Sequence, residues 1–96
     1  MLVRIVHLEI QPEFTKRFLQ LFSDHQQAII QFEGCLSLQL LQDDKDPNHV
    51  ATLSHWRSAE DLDHYRYSEF FKSLWSQVKP LFSTPAKATS FQIWKP

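Results

Sequence analysis

Glycine and cysteine are almost missing from this sequence: the 96 residues contain one of each, Gly34 and Cys35. A lone cysteine excludes a disulfide framework within the chain. A lone glycine excludes phosphate loops, dinucleotide fingerprints and nucleophile elbows, all of which need more than one. An excess of one charge is missing too: ten Lys plus Arg face eleven Asp plus Glu, a net charge of −1, and no basic cluster stands out. A nucleic-acid partner, which calls for a basic stripe, is therefore not expected. No apolar run approaches the roughly 18–20 residues that span a bilayer, so no membrane is expected either. The opening Met1-Leu2-Val3-Arg4 lacks the charged-then-apolar order of a signal peptide and reads as a strand, which makes cytoplasmic the expected localisation.

Aromatic residues, in contrast, are plentiful: eight Phe, three Trp and two Tyr make up 14% of the chain. An apolar content of 43% excludes a disordered tail. The length allows one small domain, residues 1–96, which buries only about two-thirds of its unfolded surface. So many rings in so small a core must fill it, line a cavity or be covered by a second subunit. All three are expected.

Leu2 to Ile10 is a β-branched run bounded by Pro12 and reads as a strand. Phe14, Phe18, Leu21, Phe22, His25, Ile29 and Phe32 recur at helical spacing, with Lys16, Arg17, Gln20, Ser23, Asp24 and Gln27 opposite. Gly34 follows as a left-handed helix cap, where a Cβ would be costly. Cys35 to Gln42 and His49 to Arg57 read as strands joined by the polar turn Asp43 to Asn48. Ser58-Ala59-Glu60-Asp61 is a capping sequence leading a short helix with Leu62 and Tyr65. A fresh helix start at Ser68-Glu69 leads Phe71, Leu74, Trp75 and Val78, ended by Pro80, and Thr89 to Trp94 reads as the last strand. The order β-α-β-β-α-β predicts an α+β, ferredoxin-like fold: a four-stranded antiparallel sheet with helices on one face. Strands apolar on both faces predict a cover for the other face, and a sheet-on-sheet homodimer is the simplest one.

Asp44, Asp46 and Asn48 have the spacing that opens a calcium loop, but His49 and His55 occupy the positions of its glycine and its terminal Glu, so a hairpin turn is expected. The five histidines form no helical pair of metal ligands, and no metal is expected, although His7 and His55 lie on strands that could pair. His25 sits within an apolar helical stripe. It is either a buried ring with one satisfied nitrogen or a polar group facing a cavity, where it could transfer protons. Cys35 reads as a small apolar residue. Trp56, Tyr65, Phe70, Phe71, Trp75 and Phe82 cluster late in the chain. Most of them read as core, but close-packing so many rings tends to leave space, and an aromatic hollow with a few polar groups is the usual form of a small-molecule site.

Phe32-Glu33-Gly34-Cys35 after a Phe-rich helix, then Ser54-His55-Trp56-Arg57-Ser58-Ala59-Glu60-Asp61-Leu62, Tyr65-Arg66 and Ser68-Glu69-Phe70-Phe71, resemble the antibiotic biosynthesis monooxygenase domain family. The resemblance implies two subunits joined as a dimeric α+β barrel. It also implies one of several activities: oxidation of phenolic or quinol-type aromatics by O₂ without metal or flavin, haem degradation, or processing of a small sugar derivative. In register with the haem degraders, their Asn, Trp and His positions fall on Val6, Tyr65 and Trp75, so the iron-ligating His is missing. The expectation is a cofactor-independent monooxygenase acting on a small hydroxyaromatic. Trp56, Phe71 and Trp75 would line its pocket, His25 or His55 would be base or phenolate partner, and Tyr65 a second donor. His7 is a weaker candidate for the role of base, because alternation points it toward the dimer interface. A non-catalytic module binding an apolar metabolite and a non-oxidative isomerase are the alternatives.

Overall fold

The aliphatic stretches pair into one sheet because each is β-rich and bounded by a turn signal. The computed structural model describes residues 1–96, with strands β1 (Leu2–Glu9), β2 (Cys35–Gln42), β3 (His49–Trp56) and β4 (Lys87–Gln92). All neighbours are antiparallel, in the order β2-β3-β1-β4. Helices α1 (Thr15–Ile30), α2 (Ala59–Arg66) and α3 (Glu69–Val78) complete the ferredoxin-like fold, with short 3₁₀ turns at Pro12–Phe14 and Lys79–Leu81. None of the helices is long and apolar enough to cross a membrane.

The boundaries follow local chemistry. Gly34 closes the α1–β2 turn at φ 83°, the left-handed region. A Cβ there would also fall onto the Asp61 carboxylate. Ser58 caps α2 by accepting from the Asp61 N–H (3.2 Å), and Ser68 caps α3 by accepting from the Phe71 N–H (3.1 Å). Pro80 falls in the 3₁₀ turn just past α3. In the β2–β3 turn, Asp43 Oδ1 accepts from the N–H groups of Lys45 and Asp46, and Asp46 Oδ1 from that of Asn48. These carboxylates are spent on shaping a hairpin.

One strand is displaced from its expected place. β4 runs Lys87–Gln92, two residues earlier than Thr89 to Trp94, because Gln92 already pairs with Leu2 at the start of β1. Beyond it Ile93 and Trp94 have no partner strand, and Trp94 is 81% exposed.

Alternation sorts the strand residues between two faces. Leu2, Arg4, Val6 and Leu8 of β1 and Val50, Thr52, Ser54 and Trp56 of β3 face the helices. The core forms two clusters. Leu8, Ile10, Phe18, Val50, Val78 and Leu81 pack at one end, and Leu2, Trp56 and Leu62 at the other, the latter joined by Phe32, Cys35 and Tyr65. The opposite sheet face presents Val3, Ile5, Leu53, Leu41 and Phe91, of which Leu41 and Phe91 are exposed.

Candidate functional site

A hollow of about 120 Å³, partly open to the surface, lies between the two clusters and is walled by the sheet and all three helices. At the volume one water needs, this holds roughly ten heavy atoms, the size of a one- or two-ring aromatic. Phe18, Phe22 and His25 enter it from α1; Leu62, Tyr65 and Arg66 from α2; Phe71, Leu74 and Trp75 from α3. Arg4, Leu38, Thr52, Ser54 and Trp56 enter from the sheet.

Its aromatic wall is continuous. Trp56 stacks on Tyr65 (5.3 Å, 24°), Tyr65 meets Phe71 edge-on (5.1 Å), and Phe71 stacks on Trp75 (5.7 Å, 13°). Phe32 and Phe82 brace the two ends, against Tyr65 at 5.0 Å and Trp75 at 5.4 Å. Trp56 is buried, and its indole Nε1–H donates to Ser54 Oγ at 3.0 Å, so its orientation is fixed.

Two groups in this wall can handle a proton. His25 Nδ1 lies 2.7 Å from the Leu21 carbonyl, one helical turn back. A carbonyl only accepts, so Nδ1 carries the hydrogen and Nε2 of the neutral ring keeps its lone pair. One nitrogen of His25 is thus satisfied by the backbone, and the half-buried ring borders the hollow. Burial pushes the Tyr65 phenol well above the usual range, with a smaller push from Cys35. No group of the protein hydrogen-bonds this hydroxyl. Burial thus favours the neutral phenol of Tyr65, an O–H donor. Burial also raises the Cys35 thiol, which disfavours its thiolate.

The family sequence pattern described as antibiotic biosynthesis monooxygenase matches residues 1–74. The chain belongs to that family. No curated protein matches it in sequence. Among solved structures, one named antibiotic biosynthesis monooxygenase superposes with a TM-score of 0.91 at 24% identity, covering 99% of this chain and 100% of that one. A Nitrosomonas europaea protein, provisionally given the same family name, has a TM-score of 0.91 at 17% identity, covering 99% and 100%. Rv0793 of Mycobacterium tuberculosis has a TM-score of 0.89 at 19% identity, covering 99% and 96%. At such identities the likeness is one of fold.

In this antibiotic biosynthesis monooxygenase domain, five of the six residues expected at the site share one hollow: His25, Tyr65, Trp56, Phe71 and Trp75. His55 does not. It follows Ser54 and precedes Trp56 on β3, and since those two face the helices, alternation turns His55 to the other side of the sheet. There its Nδ1 lies 2.8 Å from Ser37 Oγ. His7 lies on that far face too, 3.1 Å from His49 Nε2 through Nδ1, with His49 Nδ1 3.1 Å from Asp43 Oδ2. Sequence reasoning missed Phe18 and Phe22, whose helical spacing marked them only as core, and the two arginines, Arg4 and Arg66. Period-2 alternation from Leu2 would have placed Arg4 on the helix-facing side.

Proposed function

We propose that this domain is a cofactor-independent monooxygenase whose substrate is a small hydroxyaromatic of one or two rings. The observation that carries the reading is an aromatic hollow bordered by an imidazole with a free Nε2 and by a phenol held neutral. The hydroxyaromatic stacks between the rings, and His25 Nε2 takes its hydroxyl proton. The Tyr65 O–H donates to the oxygen that becomes negative. The phenolate then supplies all the electrons O₂ needs. For a phenol with an open para position, one oxygen atom becomes the new carbonyl of a quinone and the other leaves as water. A dry pocket serves this step because water would solvate the phenolate and quench it.

The same reading assigns the uncovered apolar sheet face to a second copy of the chain. Val3, Ile5, Leu53, Leu41 and Phe91 form a patch whose self-complementary packing about a two-fold axis makes a sheet-on-sheet dimer. His55 and His7 then belong to the subunit interface.

Oxygen uptake with a panel of phenols, hydroquinones and naphthols tests the reaction. Uptake that survives a chelator and needs no added flavin or metal is the expected result. Tight binding of the same compounds without oxygen consumption overturns it in favour of a carrier or sensor. Turnover that proceeds equally well without oxygen overturns it in favour of an isomerase.

A further inference from the structure

Arg4 and Arg66 are the only permanently charged residues in the lining of the hollow, and no carboxylate lines it. Arg4 rises from the helix-facing side of β1, half-buried, and its one side-chain hydrogen bond within the chain runs from Nη1 to Ser90 Oγ at 3.1 Å. Arg66 ends α2, with a long contact of 3.4 Å to Asp63 Oδ1. The two guanidinium groups sense each other: burial and then the charge of Arg66 lower the Arg4 pKa, and Asp63 only partly offsets this. Two cations, each partly exposed, stand together at an apolar hollow with no carboxylate in its lining, and a bound anion relieves their mutual repulsion. Arginine's planar fork matches a carboxylate in particular, donating two parallel hydrogen bonds.

We propose that the hollow takes an aromatic acid: a hydroxyaromatic whose ring lies on the Trp56–Tyr65–Phe71–Trp75 wall and whose carboxylate is gripped by Arg4 and Arg66. This rests on the hydroxyaromatic reading above and narrows it. The two ends of the ligand are handled separately, with the anionic end fixed by the arginines and the hydroxyl end left for His25 and Tyr65. A rigid ring held at one end presents its other end in a single orientation, which is how a pocket with few polar groups selects the ring position to be attacked.

The test compares 5-hydroxy-1-naphthoate with 1-naphthol, two ligands that share a hydroxylated ring system and differ by a carboxylate on the ring remote from the hydroxyl. Binding is read from quenching of the intrinsic fluorescence of Trp56 and Trp75, and confirmed by calorimetry. The wild-type protein is expected to bind the acid about tenfold tighter or more, the gain from charge-assisted hydrogen bonds to one carboxylate. Arg4→Gln and Arg66→Gln are each expected to lose most of that preference, read as the ratio of the two affinities within each variant. Equal affinity of the wild-type protein for the two compounds overturns the anion site but leaves the hydroxyaromatic reading standing. Binding of neither compound overturns both. A preference for the acid that survives both substitutions also overturns the arginine assignment. Because the wild-type comparison decides on its own, a variant that folds poorly does not block the test.

Discussion

At the scale of single residues, the account rests on which atom faces the hollow. In the proposed reaction His25 serves as the base, because its Nδ1–H is committed to the Leu21 carbonyl and Nε2 is left free. Replacing His25 with alanine is expected to lower kcat by about 10²–10⁴-fold, the usual span for loss of a general base, with a smaller change in KM. Tyr65→Phe keeps the ring in its stack and removes only the donor, so turnover is expected to fall while thermal stability stays close to that of the parent. Because burial holds the Tyr65 phenol neutral, activity is expected to show no loss of Tyr65 protonation across the neutral and moderately alkaline range. Steady-state kinetics across pH, for parent and both variants, check these outcomes. Gly34 makes the clearest structural prediction. Its positive φ and the Asp61 carboxylate beside it both exclude a side chain, so Gly34→Ala is expected to destabilise the fold by about 1–3 kcal/mol in urea unfolding.

At the scale of elements, helix α2 carries Tyr65 and Arg66 into the hollow, so the way its first turn is anchored matters for the site. Asp61 is at the centre of that anchor. Its carboxylate accepts from Arg57 Nε at 2.8 Å and Nη2 at 3.0 Å, and from the Ser58 hydroxyl at 3.1 Å. Arg57 also reaches Glu33 at 3.2 Å, which ties α2 back to the turn after α1. The Arg57 hydrogen bond, with help from Ser58, holds the Asp61 carboxyl below its ordinary range. A depressed folded-state pKa adds stability that is complete above the unfolded value and is lost as pH falls through the folded one. Stability is therefore expected to decline on acidification below the ordinary carboxylate range, and Asp61→Asn to flatten that decline. Urea midpoints at a series of acidic pH values measure it.

Much at this scale was legible in the sequence. The glycine after a helix, the Ser58 and Ser68 caps and the proline past α3 act through backbone chemistry that depends on near neighbours, so they mark their positions locally. The ends of β4 were not legible, because its register is set by β1, some ninety residues earlier in the sequence. His55 is an instructive failure of another kind. The information was local, since a residue between two helix-facing neighbours on a strand must face away, but a histidine beside a tryptophan looked like one site. Arg4 was passed over because an arginine near the start of an alternating strand looks like a solvated residue. Its tilt into the hollow depends on the gap between two clusters, and that gap arises only when the three helices pack on the sheet.

At the scale of the whole molecule, one side of the sheet borders the aromatic hollow and the other is left apolar and open. Placing a charge in the middle of the open face is expected to prevent the proposed dimer. Leu53→Arg does so without touching the hollow, since Leu53 points away from it. Analytical ultracentrifugation is expected to give a dimer for the parent and a monomer for the variant; a parent that is monomeric at micromolar concentration contradicts the assignment. The central claim is that a substrate bound against this aromatic wall supplies every electron for its own oxygenation. Turnover under ¹⁸O₂ with a hydroxynaphthalene, in the presence of a chelator and with no added flavin, tests it most directly. The account predicts one labelled oxygen atom in each quinone formed and the other label in water. Recovery of the bound hydroxynaphthalene unlabelled and unoxidised would contradict it.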